Sequence, residues 1–128
     1  MSVELDLARP LRVIVAGAVA WADEAAIARE LTRLPAGSTV IHGDCAGADA
    51  IAGAVATRLG LAVQAMAKSR DDRRRFGRAA WKGLNERMLA SGAELVLVFH
   101  PDFDASRGSK HMAELARVAG VPVRIFAA

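Results

Sequence analysis

The chain has 128 residues, 53% of them apolar and 24% charged, which excludes intrinsic disorder over most of its length and leaves room for a single domain. Cys45 stands alone, so no internal disulfide forms. No apolar run reaches the roughly 18 residues of a membrane-spanning helix, and the acidic opening Met1 to Pro10 lacks the apolar core of a signal peptide, so a cytoplasmic protein without a membrane partner is expected.

In chain order, residues 1–10 read as an N-terminal extension and 11–128 as one domain. Leu11 to Gly17 is a buried strand ending in glycine. Asp23 caps a helix whose Ile27, Leu31 and Leu34 keep helical spacing, until Pro35-Ala36-Gly37 stops it. Ser38 to Gly43 is a second strand. Ala48, Ile51, Ala52, Val55, Ala56 and Leu59 form a helical stripe ended by Gly60. Leu61 to Met66 is a third strand, and a basic loop around Arg70 to Arg75 reads as mobile. A helix follows from about Arg78 to Ala90, with Trp81, Leu84 and Met88 facing inward. Glu94 to His100 is the most apolar strand and the expected centre of the sheet. A turn-rich loop from Pro101 to Gly108 leads to a helix bearing Met112, Leu115, Ala116 and Ala119, and Val121 to Phe126 closes the chain as a fifth strand. Five strands alternating with four helices predict an α/β protein: a Rossmann-like three-layer α/β/α sandwich with a five-stranded parallel sheet in the order 3-2-1-4-5.

Charge is unevenly spread. The net charge is +3, yet Lys68 to Arg87 alone holds eight basic and three acidic residues, leaving the rest slightly acidic. Such a segment attracts phosphates of nucleotides or of nucleic acid. In an open parallel sheet, ligands bind beyond the carboxyl ends of the strands, where the strand order reverses. The first loop, with Gly17 and Trp21, lies there. So do the second, with Gly43, Asp44, Gly47, Ala48 and Asp49, and the loop after the fourth strand, with Ser106, Arg107, Gly108 and Ser109. Glycines at these places admit a phosphate to the backbone, and helix N-termini offer it unbonded N–H groups. Trp21 is a candidate for stacking on a base, whereas Trp81 reads as core. His42, His100, His111, Cys45, Asp102 and Asp104 fall near the same edge but lack metal-ligand spacing, so no metal site is expected and a divalent metal is a minor alternative. Neither Gly-x-x-x-x-Gly-Lys-Ser/Thr nor Gly-x-Gly-x-x-Gly is present, which argues against a P-loop NTPase and an ordinary dinucleotide dehydrogenase.

Three segments together resemble a known family. Val40 to Ala52, read as His42-Gly43-Asp44-Cys45-Ala46-Gly47-Ala48-Asp49, is similar to the "HGGxxGADxxA" signature of the YspA-type, YpsA-related family of the SLOG superfamily, which joins the DNA-processing protein Smf and the lonely-guy enzymes. Gly77-Arg78-Ala79-Ala80 through Asn85 and Met88 resembles that family's "GxxAGPxRNxxM" helix, and Ser106 to Met112 its "SxGTxxM" turn; the likeness covers about residues 11 to 126.

The resemblance implies a Rossmann-like domain that binds a nucleotide or nucleotide-derived ligand as a sensor, without a certain cofactor, and a tendency to form homo-oligomers. Gly43, Asp44, Gly47, Ala48 and Asp49 would line one wall, Asn85 would face the ligand with Arg78 in the same motif, and Gly108 and Ser109 would hold the phosphate. The lonely-guy branch suggests an alternative, a phosphoribohydrolase of nucleoside 5′-monophosphates, and the Smf branch another, a single-stranded nucleic-acid module using the Lys68 to Arg87 stretch. The departures favour binding over hydrolysis. Gly17-Ala18-Val19 replaces the family's Gly-Ser/Gly-Arg, and Leu84 stands where it has arginine. Lys110-His111-Met112 stands where the enzymes carry a glutamate, with Glu114 displaced.

Overall fold

A computed structural model describes residues 8–128; most of the expected N-terminal extension, residues 1–7, lies outside them. Five strands form one all-parallel sheet: β1 (Arg12–Gly17), β2 (Thr39–His42), β3 (Ala62–Ala65), β4 (Leu95–Phe99) and β5 (Val123–Phe126). Their order is β3-β2-β1-β4-β5, as the alternation of apolar runs predicts. The helices are α1 (Glu24–Thr32), α2 (Ala48–Arg58), α3 (Arg70–Phe76), α4 (Trp81–Ala90) and α5 (Gly108–Val118).

Side chains on a strand alternate between the two faces of the sheet, so the apolar runs feed two cores. Val13 and Val15 of β1, Val40 of β2, and Leu95, Leu97 and Phe99 of β4 pack with Ile27 and Leu31 of α1 and Ala52 and Val55 of α2. Ile14, Ile41, Val96 and Val98 point the other way, onto Leu84 and Met88 of α4 and Met112 and Ala116 of α5. The result is the expected three-layer sandwich, with α1 and α2 on one face and α4 and α5 on the other.

Local signals hold where the chemistry is local. Asp23 accepts the Ala26 N–H at 3.1 Å as the cap of α1, and Gly60 and Gly120 take positive φ of 78° and 76° beyond α2 and α5. The basic stretch departs from expectation. Arg70 to Arg75 belongs to α3, a fifth helix, and is not a mobile loop. Ser69 Oγ accepts the Asp72 N–H at 3.0 Å, and the Asp72 carboxylate accepts the Ser69 N–H at 2.8 Å, a reciprocal cap that starts the helix. Asp72 is 1% exposed, and Arg87 of α4 donates to both of its carboxylate oxygens. A charge pair across α3 and α4 therefore replaces the apolar stripe that periodicity looks for. Gly83 of α4 leaves room for it, because a β-carbon there would overlap the Asp72 carboxylate.

Candidate functional site

The chain runs β1 to β2 to β3 on one side of β1 and returns to β4 on the other, so the strand order reverses between β1 and β4. A cavity of about 110 Å³ opens at the carboxyl ends of these strands on the α4 and α5 side. Gly17 lies at its back, where β1 and β4 run so close that a β-carbon would overlap the Phe99 carbonyl. The Ala18 N–H donates to that carbonyl at 3.0 Å, which ties the first loop to the end of β4.

Gly43, Cys45 and Asp49 line the β2 side. Asp49, 8% exposed, accepts the N–H groups of Gly43 (3.0 Å) and Cys45 (3.3 Å) on Oδ2, which curls the loop around its carboxylate. Burial pushes its pKa up, and the two N–H bonds and the charges of His42 and Lys68 only partly oppose this. Lys68, just beyond β3, lines the same cavity.

α4 supplies the opposite wall. Trp81, Leu84, Asn85 and Met88 recur at helical spacing and all face the cavity. Asn85, 6% exposed, donates from Nδ2 to the Gly108 carbonyl (3.0 Å) and to His111 Nδ1 (3.1 Å), fastening the first turn of α5 to α4. Accepting that bond places the His111 proton on Nε2. Burial, with the charge of Lys82, lowers the His111 pKa and favours this neutral form.

Gly108 and Ser109 open α5 and line the cavity. The first-turn N–H groups of a helix have no partner within it. Here Ser106 Oγ accepts the Lys110 N–H at 3.2 Å, while the N–H groups of Gly108 and Ser109 carry no such cap. Ser109 is 7% exposed and forms part of the cavity wall.

Of the residues singled out from sequence, Gly17, Gly43, Asp49, Asn85, Gly108 and Ser109 meet around this cavity. The others are placed elsewhere, each for a physical reason. Trp21 is core: it is 7% exposed, its Nε1 donates to the Asp23 carbonyl at 2.9 Å, and its ring packs edge-on against Phe99 at 5.6 Å. Gly47 and Ala48 face the first loop, the Ala48 N–H donating to the Ala18 carbonyl at 3.1 Å, and at φ 76° a Gly47 β-carbon would overlap the Ala18 and Val19 carbonyls. Asp44 is exposed at φ 58°, its N–H bonded to His42 Nδ1 at 3.0 Å. Ser106 is occupied in capping α5, its hydroxyl also donating to the Phe103 carbonyl at 2.7 Å. Arg78 and Arg107 are exposed and do not line the cavity.

The two tryptophans thus exchange roles, since Trp81, read as core, is half-buried in the cleft. Trp81, Lys68, Val19, Cys45, Leu84 and Met88, with Val15 and Ala16 of β1, line the cavity without having been singled out as site residues. The signal was present for α4, whose stripe joins an aromatic to an asparagine on one face. No comparable signal exists for Lys68, one of eight basic residues in its stretch.

The basic stretch is partly neutralised. Arg87 pairs with Asp72, Arg74 with Asp71 and Arg75 with Glu86. His42, His100, His111, Cys45, Asp102 and Asp104 do not assemble: among the described residues no group of three or more His, Cys, Asp or Glu side chains is placed to hold a metal ion. No described helix is long and apolar enough to cross a membrane.

Fold and cleft together define an open parallel α/β protein with a cleft at its topological switch point. Over 122 residues the chain is 34% identical to the Gene 61 protein of Mycobacterium phage D29, covering 90% of this chain and 95% of that one. It belongs to the family of that phage protein. No protein-family model matches the chain, and no solved structure does.

Proposed function

We propose that the protein binds a nucleotide or nucleotide-derived ligand in this cleft and acts as a binding or sensor protein. The observation that carries the reading is the opening of α5, where the uncapped N–H groups of Gly108 and Ser109 and the Ser109 side chain share one cavity with Lys68. Helix N-terminal N–H groups with a nearby ammonium form an anion site, each charge-assisted bond contributing about 1.5–3 kcal/mol. Asp49 supplies an acceptor suited to sugar hydroxyls from the facing wall. The resemblance to the SLOG superfamily agrees with this reading, as does the position of the cleft at the switch point.

Binding is favoured over glycosidic hydrolysis by the acid–base inventory. Asp49 is the carboxylate lining the cavity, and it is engaged by two backbone N–H groups. The first turn of α5 carries no acid. The test is a thermal-shift screen with nucleoside mono-, di- and triphosphates and cyclic nucleotides. A ligand at 100 times its Kd adds about 2.7 kcal/mol of stability. Gly108→Asp is the control: a β-carbon there meets only Trp81, at 4.0 Å, and an acid suits a helix N-terminus, so the fold persists while an anion is repelled. A shift lost in Gly108→Asp supports the site, and no shift with any nucleotide refutes it.

A further inference from the structure

Anion binding at α5 leaves one part of the cleft unused. Trp81 shares a helix face with Leu84, Asn85 and Met88, and its indole is held in place. The ring stands edge-on to the His111 imidazole, with centroids 5.3 Å apart and planes at 80°. That imidazole is itself fixed by the bond from Asn85. A side chain at Gly108 would come within 4.0 Å of indole Cε3, so the indole abuts the turn whose N–H groups face the cavity. From the β1 side the cavity is lined by Val19, an apolar residue left 66% exposed. A bare phosphate or a sugar phosphate would leave the indole and Val19 wet, whereas a flat ring would cover them. A cavity of about 110 Å³ approaches the size of an engineered apolar cavity, about 150 Å³, that accepts one benzene ring.

We propose that Trp81 is the specificity-determining residue of the cleft. It stacks on the ring of a ligand whose anionic group lies at the first turn of α5, so the protein selects a nucleobase-bearing phosphate over the same sugar phosphate without its base. This rests on the ligand-binding reading above and names the part of the ligand that the chain discriminates. Asn85 and His111 act as positioning residues for the indole.

Equilibrium dialysis on the full chain with AMP, GMP and ribose 5-phosphate tests it, with Trp81→Ala and Trp81→Phe alongside. In Trp21→Phe, where Trp81 is the remaining tryptophan, indole fluorescence follows the same titrations. The wild type is expected to bind at least one of the nucleotides more tightly than ribose 5-phosphate, with quenching of Trp81. Trp81→Ala should weaken that nucleotide about tenfold or more, as loss of one base–aromatic stack does, and leave ribose 5-phosphate unchanged. Trp81→Phe should recover most of the loss. Equal wild-type affinity for nucleotide and sugar phosphate overturns the proposal while leaving the anion site intact. So does a Trp81→Ala effect that is absent, or the same for both ligands. Failure of all three probes to bind the wild type counts against the cleft reading itself, and the proposal falls with it.

Discussion

Asp49 and Asp72 both lie in the first turn of a helix, both are buried, and the protein treats them in opposite ways. Asp72, between α3 and α4, meets the Arg87 guanidinium and the Ser69 N–H, and its pKa is held down at about 2, chiefly by the bond from Arg87. Asp49, at the cleft, has two backbone N–H bonds but no cation bonded to it, and burial drives its pKa up. In each case desolvation disfavours the charged form. At Asp72 a touching cation more than offsets it, and the group holds two helices together. At Asp49 two N–H bonds offset the cost only in part, and the carboxylate borders a cavity open to solvent. A partly compensated buried charge beside a cavity marks a candidate site, while a fully compensated one marks architecture.

The contrast is open to direct attack. Asp72→Ala is expected to have the largest effect, a loss of about 3 kcal/mol in urea unfolding at pH 7, because it strands Arg87 and removes the cap of α3. A loss under about 1 kcal/mol would mean that the pair is not architectural. The sign of its pH dependence follows from a folded pKa below the ordinary 3.8. The Asp72 contribution is fully present above that value and disappears as pH falls from about 4 through 2. Asp72→Asn should flatten that acid limb.

Gly83→Ala should cost about 1–3 kcal/mol, since its β-carbon presses on the Asp72 carboxylate. In the Asp72→Ala background the same change should become neutral or stabilising, because alanine is the better helix former. Additivity would show that the clash is relieved elsewhere.

At the cleft, Asp49→Asn should change stability at pH 7 by no more than about 1 kcal/mol, because an amide oxygen still accepts both N–H bonds. A raised folded pKa means that the wild-type contribution is present below 3.8 and is lost as pH rises through the folded value. Thermal melts between pH 3 and 7 should show that slope in the wild type and not in Asp49→Asn, while nucleotide binding weakens. A large loss of stability instead would place Asp49 with Asp72 as architecture. Smallest of all, Arg74→Ala breaks only the exposed pair with Asp71 and should shift unfolding by less than about 0.5 kcal/mol.

Much of this molecule is legible in the sequence. The runs around Val13-Ile14-Val15 and Leu95 to Phe99 are apolar without interruption because both sheet faces are covered, and that feature predicts a parallel sheet. Asp23, Gly60 and Gly120 mark helix ends through chemistry confined to a few residues. Ser69-x-x-Asp72 has the same quality and marks the start of α3, but the helix carries a run of arginines in place of the apolar stripe through which helical periodicity shows. The cleft was legible in part. Gly43, Asp49, Asn85, Gly108 and Ser109 stand at strand ends or in motif positions, whereas nothing local sets Lys68 apart from the seven other basic residues of its stretch, and only the packing of α3 and α4 brings it to the cleft.

The tryptophans show where the boundary lies. Chain order and hydropathy determined the strand order, and with it the end of the sheet that carries the cleft, since alternation of β and α units admits few parallel topologies. They also marked Trp21 as a loop residue and Trp81 as a helix residue, and both statements stand. Which indole faces the cavity was decided only in three dimensions. The first loop folds back onto Phe99 and α2, carrying Trp21 into the core, while α4 is turned by Asn85 and the Asp72–Arg87 pair so that Trp81 stands at the rim. Short-range periodicity specifies which residues share an element's face, but what that face meets depends on partners far away in sequence, and burial is a property of the pair.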